Sequence, residues 1–161
     1  VGGGVRPLIY TVYKGIVDEG DVVTYPVPSW NNNHYVHFVE GQAVTIETTA
    51  ETNFMPTAEQ LRPHLKGATL IALCSPQNPT GTTFSAQELE AICDLVLEEN
   101  AQRGDDEKKL FLMYDQMYWQ LTYGDIRHYD PVSLRPEMRR GVTKIPLLLK
   151  SCAKYLMPSR I

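Results

Sequence analysis

Apolar and polar positions along this chain follow two periods, one typical of buried strands and one typical of helices. The clearest strand is an unbroken apolar run from Leu70 to Cys74, which is typical of a strand buried on both faces. The turn from Ser75 to Gly81 contains two prolines, which fit neither a helix interior nor a strand ladder. A capping box from Ser85 to Glu88 then begins an amphipathic helix. The pattern therefore predicts a strand, a polar turn and a helix in succession.

The same alternation extends over the rest of the chain. Helical spacing occurs near Leu8, His34, Leu61 and Ile92, and strand patterns occur near Val23, Val44, Leu70, Phe111 and Leu147. Strands that alternate with helices predict a mostly parallel sheet with helices on both faces. We therefore expect a three-layer α/β/α fold.

Local signals predict several element boundaries. Pro26 should end the strand that begins at Val22, since proline interrupts a ladder. One of the following asparagines should cap a short helix from Asn31 to Phe38. A second capping box begins at Thr57. The charged stretch from Glu98 to Lys109 is expected to be a solvated connection.

Composition limits the classes of function. The 161 residues carry a formal charge of −4, and no basic cluster interleaves with aromatic residues, so we expect no nucleic-acid partner. No apolar run approaches membrane-spanning length and no targeting signal is visible, so we expect a cytoplasmic protein with no membrane partner. Cys74, Cys93 and Cys152 are odd in number and lack metal-ligand spacing, so we expect reduced, structural cysteines and no metal site.

Several chemically useful side chains follow the predicted strands. Trp30 follows the first strand, Asn78 lies in the turn after Cys74, and Asp115 and Tyr118 follow the strand from Leu110. In an open α/β sheet, ligands bind at the carboxyl ends of the strands. Each side chain also has an ordinary structural interpretation, since a tryptophan usually packs and an isolated Asp usually caps the following turn.

Glycines precede the first predicted helix, which runs from Leu8 to Val17. Free amide N–H groups at a helix N-terminus, together with the helix dipole, favour a bound anion. Three glycines alone are equally typical of a flexible terminus. Combined with an aromatic plate, an amide and a carboxylate, they indicate a flat, phosphorylated cofactor with a basic ring nitrogen. Pyridoxal 5′-phosphate matches that description.

Three segments resemble the signature segments of fold-type I aminotransferases, the aspartate aminotransferase-like class I/II group. They are Ser75–Gly81 (SPQNPTG), Tyr114–Tyr118 (YDQMY) and Pro28–Trp30 (PSW). The resemblance runs from about residue 4 to residue 140 and weakens beyond. It implies the major, pyridoxal-phosphate-binding domain of that fold. It also implies an aminotransferase that moves an amino group between an amino acid and a 2-oxo acid through a lysine aldimine.

The resemblance implies how the phosphate and the ring would be held. Gly4, Val5 and Arg6 match the turn whose backbone amides bind the cofactor phosphate. Trp30 matches the aromatic residue that stacks on the pyridine ring, and the indole face is well suited to that contact.

Three further residues match groups that tune the cofactor in this family. Asn78 and Tyr118 match the pair that hydrogen-bonds the phenolic oxygen, and Asp115 matches the carboxylate that pairs with the ring nitrogen. A nearby carboxylate keeps that nitrogen protonated, because an opposite charge favours the charged form of a group. A protonated ring withdraws electrons from the substrate more strongly than a neutral ring.

The chain departs from the family pattern at the lysine segment. The resemblance implies that Lys154 is the catalytic lysine, with Ser151 and Arg160 near the phosphate. The spacing from Lys154 to Arg160 is shorter than in the family, so Lys150 and Lys144 remain alternatives for the lysine.

The resemblance also implies an organisation for the whole protein. Residues 1–161 would form part of the large cofactor-binding domain, without the N-terminal segment and the small C-terminal domain. The family's active sites are completed in a homodimer. Competing interpretations are a lyase or decarboxylase that uses the same cofactor, a non-catalytic regulatory module that binds it, and an inactive remnant.

Overall fold

A five-stranded, all-parallel sheet forms the centre of the structure, a computed structural model that describes residues 4–139 and the backbone of residues 147–149. The strands are β1 (Val22–Val27), β2 (Gln42–Glu47), β3 (Ala68–Cys74), β4 (Phe111–Asp115) and β5 (Leu147–Leu149). They lie in the order β2-β1-β3-β4-β5. Lys144, Lys150, Ser151, Cys152, Lys154 and Arg160, which carry several predictions, lie outside the described residues.

Helices cover both faces of this sheet. They are α1 (Val5–Ile16), α2 (Asn32–Phe38), α3 (Ala58–Leu61), α4 (Ala86–Gln102) and α5 (Pro131–Leu134), with 3-10 turns at Ala50–Thr52, Arg62–His64 and Pro136–Arg139. Successive side chains of a strand point to opposite faces. Accordingly, Leu70 and Ala72 pack in the cluster that contains α1 and α2, whereas Ile71 and Leu73 pack in the cluster that contains α4. The expected three-layer α/β/α fold is confirmed.

The two predicted capping boxes are present. The backbone N–H of Glu88 donates to Ser85 Oγ over 3.3 Å, and the N–H of Ser85 donates to Glu88 Oε2 over 2.7 Å. Thr57 and Gln60 exchange the same pair of bonds at the start of α3. Each box satisfies amide groups that the first turn of a helix otherwise leaves without partners.

The prediction that Pro26 ends the first strand was wrong. β1 continues through Pro26 to Val27, and Pro26 lies opposite Ile46 of β2. The pairing of β1 with β3 covers only Val22 to Thr24. A proline is tolerated where its missing N–H has no neighbouring strand to meet, as at the edge of a sheet.

Two other boundaries differ in detail. Asn31 stands at the N-cap of α2, but with φ 57° and without a side-chain cap hydrogen bond. Asparagine tolerates this left-handed conformation better than most residues. This tolerance, and not a capping hydrogen bond, explains why an asparagine stands at the N-cap. The predicted connection from Glu98 is partly helical, since α4 continues to Gln102. After it, the Arg103 guanidinium donates to the carbonyl of Leu65 over 2.7 Å, which ties the connection to the fold.

Cys93 is buried, and neither Cys74 nor Cys93 forms a disulfide. Among the helices described, none is both long and apolar enough to cross a membrane.

A buried amide joins the end of α4 to the start of β4. Asn100 Nδ2 donates to the carbonyl oxygen of Leu110 over 2.8 Å, and the N–H of Leu110 donates to Asn100 Oδ1 over 2.8 Å. Both residues are buried, so water cannot easily replace either bond. This pair fixes where β4 begins, and β4 leads to Asp115.

We expect Asn100→Ala to lower the free energy of unfolding by about 2–3 kcal/mol, because it leaves the buried N–H and carbonyl of Leu110 without partners. Urea denaturation measures the change. Gln102→Ala, at an exposed position of the same helix, is the control and should change stability by less than about 0.5 kcal/mol. An unchanged urea midpoint for Asn100→Ala would contradict this account.

Candidate functional site

The carboxyl ends of β3 and β4 open onto a cavity of about 250 Å³. The strand register places Cys74 opposite Asp115, and the N–H of Ser75 donates to the carbonyl of Asp115 over 3.0 Å. The segments that follow β3 and β4 therefore leave the sheet side by side. This is the edge at which parallel α/β sheets bind ligands.

The structure brings most of the predicted site residues to this cavity. Six of them line it: Val5, Arg6, Trp30, Asn78, Asp115 and Tyr118. Gly4 immediately precedes the two that come from α1. The remaining predicted residues are among those outside the described part of the chain. Convergence of four separate segments supports the hypothesis of a shared site, while the role of each residue stays a prediction.

The N-terminus of α1 is arranged to receive an anion. Gly4 is its N-cap residue, with φ 142°, and it provides no side-chain cap. The first turn contains no acidic residue. A positive φ of this size favours glycine, since a Cβ would be strained there. The first amide N–H groups of α1 therefore lack a side-chain cap beside the cavity, and the helix dipole favours a negative charge there.

Asn78 and Tyr118 are joined across the cavity wall. Asn78 Nδ2 donates to the Tyr118 hydroxyl oxygen over 3.1 Å, and both side chains are half-buried. The amide carries a second N–H and the phenol keeps its own O–H. The pair can therefore donate two hydrogen bonds to one ligand oxygen.

Asp115 both caps the turn after β4 and lines the cavity. The N–H of Met117 donates to its Oδ1 over 3.0 Å, so the carboxylate caps the turn after β4, as the ordinary interpretation of an isolated Asp predicts. It also lines the cavity. Within the described residues, Oδ2 has no hydrogen-bond partner. Burial raises the pKa of Asp115 to about 6, and the hydrogen bond from Met117 opposes this shift. A carboxylate in such surroundings is well suited to a cationic ligand atom.

Trp30 is half-buried on the same cavity. The Arg6 guanidinium carbon lies 4.9 Å from the centroid of the indole ring, a distance typical of a cation–π contact. The indole therefore forms part of the cavity wall and does not lie in the interior of the sheet.

The sequence interpretation missed several residues that line the cavity. They are Ile9, Asn32, Leu73, Cys74, Met113 and Met117. Leu73 and Met113 lie near the carboxyl ends of two predicted strands. Ile9 lies in α1 and Met117 in the turn after β4, so strand alternation does not predict them. Asn32 stands within three consecutive asparagines, and no local pattern distinguishes it from its neighbours. Burial raises the pKa of the Cys74 thiol to about 12, so this thiol is neutral near pH 7 and a weak nucleophile.

A parallel sheet with a cavity at its carboxyl edge, beside the N-terminus of a helix, is the arrangement in which α/β domains bind ligands. The chain belongs to the family described as Aminotransferase class I and II, whose family model matches residues 1–157. Members of this family depend on pyridoxal 5′-phosphate. The predicted family and fold class are therefore confirmed.

Individual relatives agree with this assignment. The chain is 33% identical over 153 residues to an aspartate aminotransferase of Bacillus sp. (strain YM-2), covering 94% of this chain and 37% of that protein. The crystal structure of the aspartate aminotransferase from Rhizobium meliloti matches with a TM-score of 0.74 at 28% identity, over 83% of this chain and 32% of that one. An aromatic aminotransferase from Pyrococcus horikoshii matches with a TM-score of 0.72 at 25% identity, over 82% of this chain and 33% of that one. The chain thus spans little more than a third of the length of the relatives it matches.

The raised pKa of Asp115 predicts a pH-dependent effect of Asp115→Asn on stability without any ligand. Between its ordinary value of 3.8 and about 6, the folded state binds the extra proton, so ionisation of Asp115 lowers stability as pH rises. The Asn variant does not ionise. Its melting temperature should exceed that of the wild type at about pH 8, and the difference should vanish near about pH 4.

Thermal unfolding followed by circular dichroism over this pH range measures the difference. Asp125→Asn, at an exposed position, is the matched control and should show no comparable pH-dependent gain. A difference between Asp115→Asn and the wild type that is constant with pH would contradict the proposed burial effect.

Proposed function

We propose that this chain forms part of the large domain of a pyridoxal-phosphate-dependent aminotransferase and that the cavity at the carboxyl ends of β3 and β4 holds the cofactor. The observation that carries the proposal is the meeting of Trp30, Asn78, Asp115 and Tyr118 at one cavity beside the N-terminus of α1. These groups come from separate segments. A strand ladder or a helix requires none of them at this position.

The residues present fit the cofactor group by group. Backbone amides of Gly4, Val5 and Arg6 would bind its phosphate, because they stand at a helix N-terminus without a side-chain cap. Trp30 would stack on its ring. When bound, pyridoxal phosphate supplies an electron sink for negative charge that develops on the substrate Cα.

The polar side chains would set the charge distribution of the bound ring. Asp115, with a pKa of about 6, is mostly ionised at pH 7 and would hold a proton on the ring nitrogen by charge complementarity. Asn78 and Tyr118 would donate hydrogen bonds to the ring oxygen and stabilise its anionic form. Together they orient the ring and fix its polarity.

The lysine segment enters the proposal through the family resemblance. Lys154 would bind the cofactor covalently, and its amine, once displaced by the amino group of the substrate, would move a proton at the substrate Cα as general base and acid. A neutral amine is needed for that step, so burial or a nearby positive charge must lower the pKa of this lysine. Ser151 and Arg160 would add contacts to the phosphate. Lys150 and Lys144 are the alternatives.

The proposed reaction transfers an amino group between an amino acid and a 2-oxo acid. The relatives named above are called aspartate and aromatic aminotransferases, which favours amino transfer over elimination or decarboxylation. We further propose a cytoplasmic homodimer. In it, an N-terminal segment, a small C-terminal domain and the partner subunit complete the site.

Cofactor binding and the identity of the lysine can be tested in the protein at the full length that its gene encodes. Addition of pyridoxal phosphate should produce a visible absorbance band, and borohydride should fix the cofactor to one peptide. Mass spectrometry of that peptide decides between Lys154, Lys150 and Lys144. Lys66→Ala, at an exposed position just before β3, is the control and should leave the band unchanged. Fixation to no single lysine would overturn the proposal.

The proposed stacking contact predicts graded effects at Trp30. Trp30→Ala should weaken pyridoxal phosphate binding by about tenfold, because an aromatic contact contributes about 0.5–1.5 kcal/mol beyond buried area. Trp30→Phe retains a ring and should weaken binding by only about twofold. Titration of the absorbance band measures both.

The chain has a second tryptophan for comparison. Trp119 is partly exposed and does not line the cavity, so Trp119→Phe should leave cofactor affinity unchanged. Equal losses for the Phe and Ala variants at Trp30 would contradict a stacking role.

A further inference from the structure

A side-chain amide joins the two loops that carry Trp30 and Asn78. Gln77 Nε2 donates to the carbonyl oxygen of Pro28 over 2.8 Å, across 49 positions of sequence. Only 2% of Gln77 is exposed. We call residues 28–31 the Trp30 segment, since they connect β1 to α2 without regular structure.

The main chain at Gln77 is held firmly on its own side of this contact. Its N–H donates to the carbonyl of Thr82 over 2.7 Å, and its carbonyl accepts from the N–H of Gly81 over 2.7 Å. Gln77 also directly precedes Asn78, which lines the cavity. A side chain that extends from a fixed turn can transmit the position of that turn to its hydrogen-bond partner.

Only the nitrogen of the Gln77 side-chain amide forms a hydrogen bond within the described residues. Within the described residues, Gln77 Oε1 is buried and has no hydrogen-bond partner. A buried acceptor without a partner is unfavourable, and an apolar side chain of similar size would avoid that cost. The feature that distinguishes Gln77 from such a residue is its N–H donor to Pro28.

A second connection holds the Trp30 segment from another side. The Tyr13 hydroxyl of α1 donates to Asn32 Oδ1 over 3.1 Å, and Asn32 Nδ2 donates to Ser29 Oγ over 3.2 Å. The segment is thus attached both to α1, which begins beside the cavity, and to the turn that carries Asn78. Loss of one connection leaves the other in place, so the fold should survive the loss.

We infer that Gln77 is a positioning residue, which fixes the indole of Trp30 relative to Asn78 so that the cavity is preorganised for a flat ring. This inference deepens the proposed function and rests on it. Gln77 acts through Pro28 and does not itself line the cavity. Preorganised walls strengthen binding because less freedom is lost when the ligand enters.

Gln77→Met tests this inference, since methionine keeps the length and removes the donor. The readout is the fluorine NMR resonance of 5-fluorotryptophan at position 30, assigned with Trp30→Phe, in the full-length protein without cofactor. We expect the Trp30 resonance to shift or broaden. We also expect the dissociation constant of pyridoxal phosphate to rise about fivefold, the ratio that corresponds to one hydrogen bond of about 1 kcal/mol.

Thr82→Val is the matched control. The Thr82 hydroxyl contacts Thr80 Oγ1 over 2.7 Å and Met55 Sδ over 3.2 Å, so this variant alters the same turn without touching the Trp30 segment. It should leave the Trp30 resonance and the cofactor affinity unchanged. Equal shifts in Thr82→Val and Gln77→Met would overturn the inference.

Gln77→Glu provides a test by rescue. A protonated carboxyl group can donate to the carbonyl of Pro28, whereas an ionised one cannot. The Trp30 resonance of this variant should therefore approach the wild-type position at acid pH and depart from it as pH rises, beyond any change in a wild-type pH series. A Trp30 resonance that is displaced as far at acid pH as at neutral pH would overturn the inference.

The two proposals fail in different ways. A wild type that binds no pyridoxal phosphate, combined with a Trp30 resonance that moves in Gln77→Met, overturns the cofactor assignment and supports the link from Gln77 to Trp30. A wild type that binds the cofactor, combined with unchanged resonance and affinity in Gln77→Met, overturns the role of Gln77 alone.

Discussion

The parallel pairing of β3 with β4 is the constraint on which the candidate site depends. It places Cys74 opposite Asp115 and continues by one hydrogen bond from Ser75 to the carbonyl of Asp115. β3 and β4 therefore end side by side, and the segments that follow them leave the same edge of the sheet. A slip of one residue would reverse which side chains of β4 face each helical layer. The buried apolar side chains of β3 and β4 prevent that slip, so the core also fixes the position of the polar groups.

The site combines side chains held in fixed positions with polar groups whose surroundings are energetically unfavourable. The helix N-terminus at Gly4 exposes amide groups, Asp115 is ionised in partly buried surroundings, and Gln77 keeps a buried oxygen without a partner in the described part of the chain. None of these features improves the stability of the domain by itself. The first two features lie at one cavity and the third lies beside Asn78 of its wall, in a member of the aminotransferase class I and II family. Such a combination is more typical of a binding site than of a fold that is only stable.

Sequence patterns predicted those parts of the structure that local signals determine. The apolar run to Cys74 and the capping box at Ser85 depend on neighbouring residues only, and both were found. Asn78 and Asp115 were predicted as site residues because each follows a buried strand. The continuation of β1 through Pro26 depends on where β3 stops pairing, and the contact of Gln77 with Pro28 joins distant segments. Such relationships are absent from any local window and require the assembled sheet.

The capping bond to Asp115 has a consequence for ligand selection. Because the N–H of Met117 occupies Oδ1, rotation of the carboxylate would break that bond, and its second oxygen keeps one direction relative to the cavity. A planar heterocycle carries its N–H in the plane of its ring. This N–H can point at an oxygen of fixed position only in a limited range of ring orientations. A flexible ammonium group carries three donors and gains nothing from a fixed direction. A fixed oxygen direction therefore favours a cation with a single in-plane N–H more than it favours a freely rotating ammonium group.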